Sequence, residues 1–93
     1  MEIDFDPQKD RRNREIHGLS LDQARFFAWD TAVSWQDSRR DYRENRYVAL
    51  GFIGLRLHCM VYTDRINHRR IISLRRANLR ENQRYAQAQT RTH

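Results

Sequence analysis

The chain has 93 residues, 39% of them hydrophobic and 32% charged, and carries a net charge of +6. A chain this short makes one domain that buries roughly 60–65% of its unfolded surface. Its ten aromatic residues separate it from disordered segments, which are poor in them. The lone cysteine, Cys59, excludes an internal disulfide and a cysteine metal pair, and His17, His58, His68 and His93 show no metal-ligand spacing, so neither metal nor cofactor is expected. The longest nearly apolar run, Val48 to Leu55, is too short to span a bilayer, and Met1-Glu2-Ile3-Asp4 lacks the basic and apolar regions of a secretory signal. These readings predict a cytoplasmic protein with no membrane partner.

Seventeen of the eighteen basic residues are arginine, and Lys9 is the only lysine. Genomic composition can enrich arginine, but it does not place the charge. Residues 1–38 carry five bases and eight acids, a net of −3, whereas residues 39–93 carry thirteen bases and four acids, a net of +9. A basic, arginine-rich half predicts a polyanionic partner, with nucleic acid ahead of a membrane surface, because the planar guanidinium pairs with phosphate and stacks on bases.

Taken in chain order, Glu2 to Asp6 reads as a short edge strand leading into a helix. Asp6 and Pro7 open that helix as cap and first-turn proline, and Gly18 closes it. Only Pro7 and Ile16 are apolar in it, while Lys9, Asn13 and His17 recur at intervals of four and share a face. Hydrophobic burial therefore cannot be its purpose. Ser20 and Gln23 form a capping box for a second helix over residues 21–28, burying Leu21, Ala24, Phe27 and Ala28. Ala32 to Trp35 is a short strand, and Gln36 to Glu44 a charged loop.

Arg46 to Ile53, Leu57 to Thr63 and Arg69 to Arg75 are strands joined by connections too short for a parallel crossover, hence antiparallel. Strict alternation puts Arg69, Ile71, Ser73 and Arg75 on one face, with Arg70, Ile72 and Leu74 on the other. Asn78 and Glu81 form a further capping box for a helix over residues 79–89. The expected architecture is α+β: two N-terminal helices, an antiparallel β-meander of three to four strands, and a C-terminal helix. Residues 1–89 form a single domain and 90–93 a frayed tail.

Several of these segments together resemble the BrnT family of toxins, small RelE-like ribonucleases of bacterial type II toxin–antitoxin systems. They are Asp6-Pro7-x-Lys9, Asn13 and His17-Gly18-Leu19-Ser20; Glu44-x-Arg46-Tyr47-x-x-Leu50-Gly51; Val61-Tyr62-Thr63-Asp64-Arg65; and Arg70 to Ala77 followed by Glu81 and Tyr85. They fall in family order between residues 3 and 85. Leu74 stands where the family usually has alanine, and Trp29 to Trp35 is unusually aromatic. The resemblance implies a RelE-like domain, metal-independent RNA cleavage, growth inhibition, and a BrnA-like antitoxin with a ribbon-helix-helix fold that both neutralises the toxin and carries it to operator DNA.

Cutting RNA without metal requires a base for the ribose 2′-hydroxyl, cations for the phosphorane, and an acid for the leaving oxygen. Lys9, His17, Arg46, Arg75, Glu81 and Tyr85 are the candidate catalytic residues, and Tyr62, Arg65, Arg69 and Arg76 the candidate RNA contacts. Arg46 and Arg75 are predicted inside strands, where a guanidinium needs an acceptor or a cleft. Each candidate also has a structural reading. His17 suits a helix C-terminus as a cation, Asn13 can anchor backbone, Glu81 can cap its helix or pair with Arg75, and Tyr85 can pack in a core. Two other functions use the same basic face: a non-catalytic nucleic-acid-binding module, and a protein that docks an acidic peptide.

Overall fold

The computed structural model describes residues 2–39, 41 and 43–91. Strand β1 (Ile3–Asp4) leads into helix α1 (Pro7–His17), then two 3-10 segments (Leu21–Phe26 and Trp29–Thr31). Strands β2 (Val33–Gln36), β3 (Tyr47–Ile53), β4 (Arg56–Asp64) and β5 (Arg69–Arg76) follow, and helix α2 (Leu79–Arg91) ends the described chain. Of the expected charged loop, positions 40 and 42 lie outside the described residues, as do positions 92 and 93 of the expected tail.

The strands form one five-stranded sheet in the order β1-β5-β4-β3-β2. The meander from β2 to β5 is antiparallel, but β1 pairs parallel to β5, so the sheet is mixed rather than wholly antiparallel. The chain between β1 and β5, residues 5–68, is far longer than the dozen or so residues that a parallel pairing needs.

Helix α1 starts and ends as its residues dictate. The Asp6 side chain accepts from the Gln8 amide, and Gly18, at φ 72°, turns its N–H back to the Arg14 carbonyl. The second element differs from the expected α-helix. It is a 3-10 turn whose buried residues Leu21, Ala24 and Phe27 recur at intervals of three, the 3-10 repeat rather than the α repeat. Ser20 caps it as expected, its hydroxyl accepting from the Asp22 amide at 3.1 Å, but the second half of the cap comes from α1 rather than from the Gln23 side chain. Asp10 of α1 reaches across to accept from the Ser20 hydroxyl at 3.0 Å and the Leu21 amide at 2.7 Å.

The core divides between the two faces of the sheet. On one, Leu21, Ala24 and Phe27 pack on Ala49, Met60, Tyr62, Ile71 and Leu74. On the other, Val48, Leu50, Leu57 and Cys59 are covered by Trp35, Phe52 and Tyr85 of α2. The Phe27 ring lies directly over Gly51 of β3, where a Cβ would stand 2.7 Å from Cε2. Glycine is needed there for close approach, not for an unusual backbone.

A β-bulge decides which arginines share a face. Val61 pairs with Ser73 and Tyr62 with Ile71, so Ile72 is the extra residue in β5. Beyond it the alternation inverts. Arg75 and Ser73 project with Cys59 and Val61, whereas Ile71 and Arg69 project with Tyr62 to the opposite face. Arg69 and Arg75, placed together by strict alternation, are thus separated by the sheet.

Candidate functional site

Asn13, the middle residue of the polar stripe on α1, is buried and holds the helix to the sheet. Its Nδ2 donates to the Leu74 and Leu19 carbonyls, both at 2.8 Å, and its Oδ1 accepts from the Leu74 amide at 3.1 Å. Strand β1 pairs only with Arg69 and Arg70, so the outer edge of β5 is open at Leu74. One carboxamide there does the work of a neighbouring strand's peptide group. This contact brings the end of α1 beside the end of β5, and His17 with Arg75 and Arg76 lines a depression of about 520 Å³.

Arg75 also lines the adjoining cleft, of about 440 Å³, between the sheet and α2. The floor of that cleft is a cross-strand row, Trp35–Val48–Val61–Ser73, read directly from the register of four strands. Glu81, Arg84, Asp37 and Arg39 stand around it. Arg75 donates through both terminal nitrogens to Glu81, at 2.7 and 2.8 Å. Glu81 is simultaneously half of a closed capping box, accepting from the Asn78 amide at 3.0 Å while its own amide donates to Asn78 Oδ1 at 2.8 Å. One carboxylate therefore fixes both the start of α2 and the orientation of Arg75. The Arg75 guanidinium lowers the Glu81 pKa, and Glu81 in turn raises that of Arg75. Cys59, across from Arg75 in the ladder, is buried, and desolvation pushes its thiol up to about 11.

Three further basic or aromatic residues belong to this cleft and were absent from the residues predicted for the site. Arg39 grips the buried Asp37 carboxylate with two hydrogen bonds, at 2.8 and 2.9 Å. The Arg84 guanidinium lies 3.6 Å from the centre of the Trp35 ring. Spacing held a signal for Arg84, which is one helical turn beyond Glu81. Trp35 carried none, because its side depends on how β2 pairs with β3.

The other predicted residues are dispersed. Tyr85 follows Glu81 on α2 but packs edge-on against Phe52 and donates to the Thr31 carbonyl at 3.0 Å, fastening the helix to the sheet. Arg46 precedes β3 with its Nε 3.9 Å from Glu44 and lines a small cavity that shares Gln36, Asp37 and Ser38 with the main cleft. Arg65 pairs with Glu44 at 3.1 Å. Tyr62 is buried between Tyr47 and Trp29 on the opposite face, and Arg69 lies over both Tyr62 and Trp29, 4.3 Å from each ring centre. Lys9 is exposed on α1, two turns from His17, and lines none of the clefts described.

Among the described residues, no group of three His, Cys, Asp or Glu side chains is placed to hold a metal ion, and no helix is long and apolar enough to cross a membrane. Among curated proteins, none matches this chain. The family model of the ribonuclease toxin BrnT, of type II toxin–antitoxin systems, matches residues 5–81. That span contains α1, strands β2 to β5 and the Arg75–Glu81 pair, so the chain belongs to the BrnT family of ribonuclease toxins, whose type II systems pair each toxin with a protein antitoxin.

Proposed function

We propose that the chain is a RelE-like endoribonuclease of the cytoplasm that cuts RNA without a metal, by attack of the 2′-hydroxyl on the adjacent phosphate, and so blocks translation and growth. The observation that carries this reading is that two adjoining depressions meet at Arg75, one lined by its orienting carboxylate Glu81 and the other by the imidazole of His17. Arg75 uses one N–H of each terminal nitrogen on Glu81 and a second from Nη1 on the Arg76 carbonyl, which leaves its Nε–H and one N–H of Nη2 to donate to a phosphate oxygen. Arg75 and Arg76 clamp the phosphorane, and His17 moves the proton, a step worth typically ~10²–10⁴ in rate for each positioned acid or base. Arg46 holds the RNA at the far end of the groove, Lys9 attracts it along α1, and Tyr85 keeps α2 seated. Arg65, Arg69 and Tyr62 contribute charge or stability rather than contact with the cut phosphate.

In this reading the antitoxin is BrnA-like, covers the basic groove, and brings the toxin to operator DNA. The arginine set and the scattered carboxylates support metal-free chemistry, since a phosphorane can be met by guanidinium groups alone.

The test is cleavage of end-labelled RNA by purified protein in excess chelator, with and without ribosomes. The expected products end in a 2′,3′-cyclic phosphate or a 3′-phosphate. Arg75→Ala and His17→Ala slow the cleavage step more than they weaken binding, because a clamp on the phosphorane acts in the transition state. Loss of activity on chelation, or products with 3′-hydroxyls, refutes the mechanism. RNA that is bound but never cut identifies a nucleic-acid-binding module instead.

A further inference from the structure

Arg84 differs from the other arginines of the main cleft. Arg75 and Arg39 each hold a carboxylate with two hydrogen bonds. Among the described residues, no carboxylate pairs with Arg84. Glu81, one turn back on α2, is turned away from it toward Arg75 and the Asn78 amide. Arg84 instead spreads its guanidinium 3.6 Å from the centre of the Trp35 ring, and Trp35 is itself braced against the cluster of Val48, Leu50, Leu57 and Cys59. The result is a charged plane backed by an indole, held by packing rather than by an ion pair, with Arg84 exposed to solvent.

Cation–π contact fixes the plane of an arginine without neutralising it. Nucleobases stack on guanidinium planes, and in RNA only unpaired bases are free to do so. We propose that the Arg84–Trp35 stack is a base platform, taking one unpaired nucleobase of single-stranded RNA on the outer face of the guanidinium. The inference rests on the ribonuclease reading above and adds to it a subsite and a substrate class. Trp35 is three inter-strand steps, roughly 14 Å, from β5 along the cleft floor. The platform therefore engages a base flanking the cut rather than the phosphate held by Arg75, and acts on binding and site choice.

The experiment uses a fluorescently labelled single strand with 2′-O-methyl groups, which 2′-hydroxyl attack cannot cut, the same strand in a duplex, and an abasic strand of equal length. Arg84→Lys keeps the charge and removes the plane. It should bind the single strand about 5- to 150-fold more weakly, the worth of one stacked base, while binding the duplex and the abasic strand as the unmodified protein does. On cleavable RNA it should raise KM more than it lowers kcat. Melting of Arg84→Lys checks its fold.

As a second measure, the single strand, but not the abasic one, quenches tryptophan fluorescence of the unmodified protein. Trp29, on the other face beneath Arg69, contributes nothing to the change. Equal affinity of Arg84→Lys and the unmodified protein for the single strand overturns the platform, as does quenching by the abasic strand. The two readings fail separately. Cleavage that is indifferent to Arg84→Lys removes the platform and leaves the ribonuclease. Single-strand binding that depends on the Arg84 plane but never leads to cleavage removes the ribonuclease and leaves the platform.

Discussion

Replacing Asn13 by alanine should unfasten α1 from the sheet. The carboxamide makes three hydrogen bonds, two of them to the backbone of Leu74. Leu74 is fully buried, so in Asn13→Ala its amide and carbonyl lose their partner without gaining water. Leu19 is only partly buried, and its carbonyl can rehydrate. A stranded buried polar group costs about 1–3 kcal/mol, so two of them would sum to about 2–6 kcal/mol, and about 3 kcal/mol allows for their not being additive. A domain of this length has about 5–14 kcal/mol of stability in total and loses roughly 4–8 °C of melting temperature per kcal/mol. The expected fall is therefore about 12–24 °C, measured by circular dichroism on the isolated chain.

Asn13→Asp sharpens the test. Its carboxylate still accepts from the Leu74 amide, but it offers no donor to the two carbonyls and sets a negative charge against them. At pH 7 it should be at least as unstable as Asn13→Ala and should recover in part on acidification, when the protonated acid regains a donor; Asn13→Ala should show no such recovery. A fall of less than about 5 °C for both variants would mean that α1 is held by something other than this contact, and the account of the sheet edge would be wrong.

Two further outcomes follow from contacts in the core and the cleft. Arg75 lowers the Glu81 pKa, so the charged carboxylate contributes stability above its unfolded value, near ~4.3, and that contribution is lost as the pH falls through the lower folded value. Melting temperature should drop less steeply below about pH 4 in Glu81→Gln than in the unmodified chain; equal slopes would show that the pair adds nothing to stability. Gly51→Ala places a Cβ 2.7 Å from Phe27 Cε2 and should cost about 1–3 kcal/mol by overpacking. The added change Phe27→Leu should return part of that loss, and a double variant no more stable than Gly51→Ala alone would refute the clash.

Local rules written in short stretches carried much of the fold. Asp6, Pro7 and Gly18 bound α1, Asn78 and Glu81 open α2, and the β-branched and aromatic runs became β3, β4 and β5, because each of these depends on neighbours within a few residues. The family signature, spread from Asp6 to Tyr85, was legible in the same way. What depends on distant partners was not. The second element is 3-10 rather than α because Leu21, Ala24 and Phe27 must all face one sheet, and Asp10 of another helix joins Ser20 in capping it. The parallel pairing of β1 depends on β5, far along the chain. The faces of Arg69 and Arg75 are set by one extra residue, Ile72, which strict alternation cannot reveal. For the site, sequence spacing paired Glu81 with Asn78 and offered Arg75 as its partner. Only the register of β2 on β3 puts Trp35 beneath Arg84, because the side a strand residue faces is decided by its pairing and not by its own chemistry.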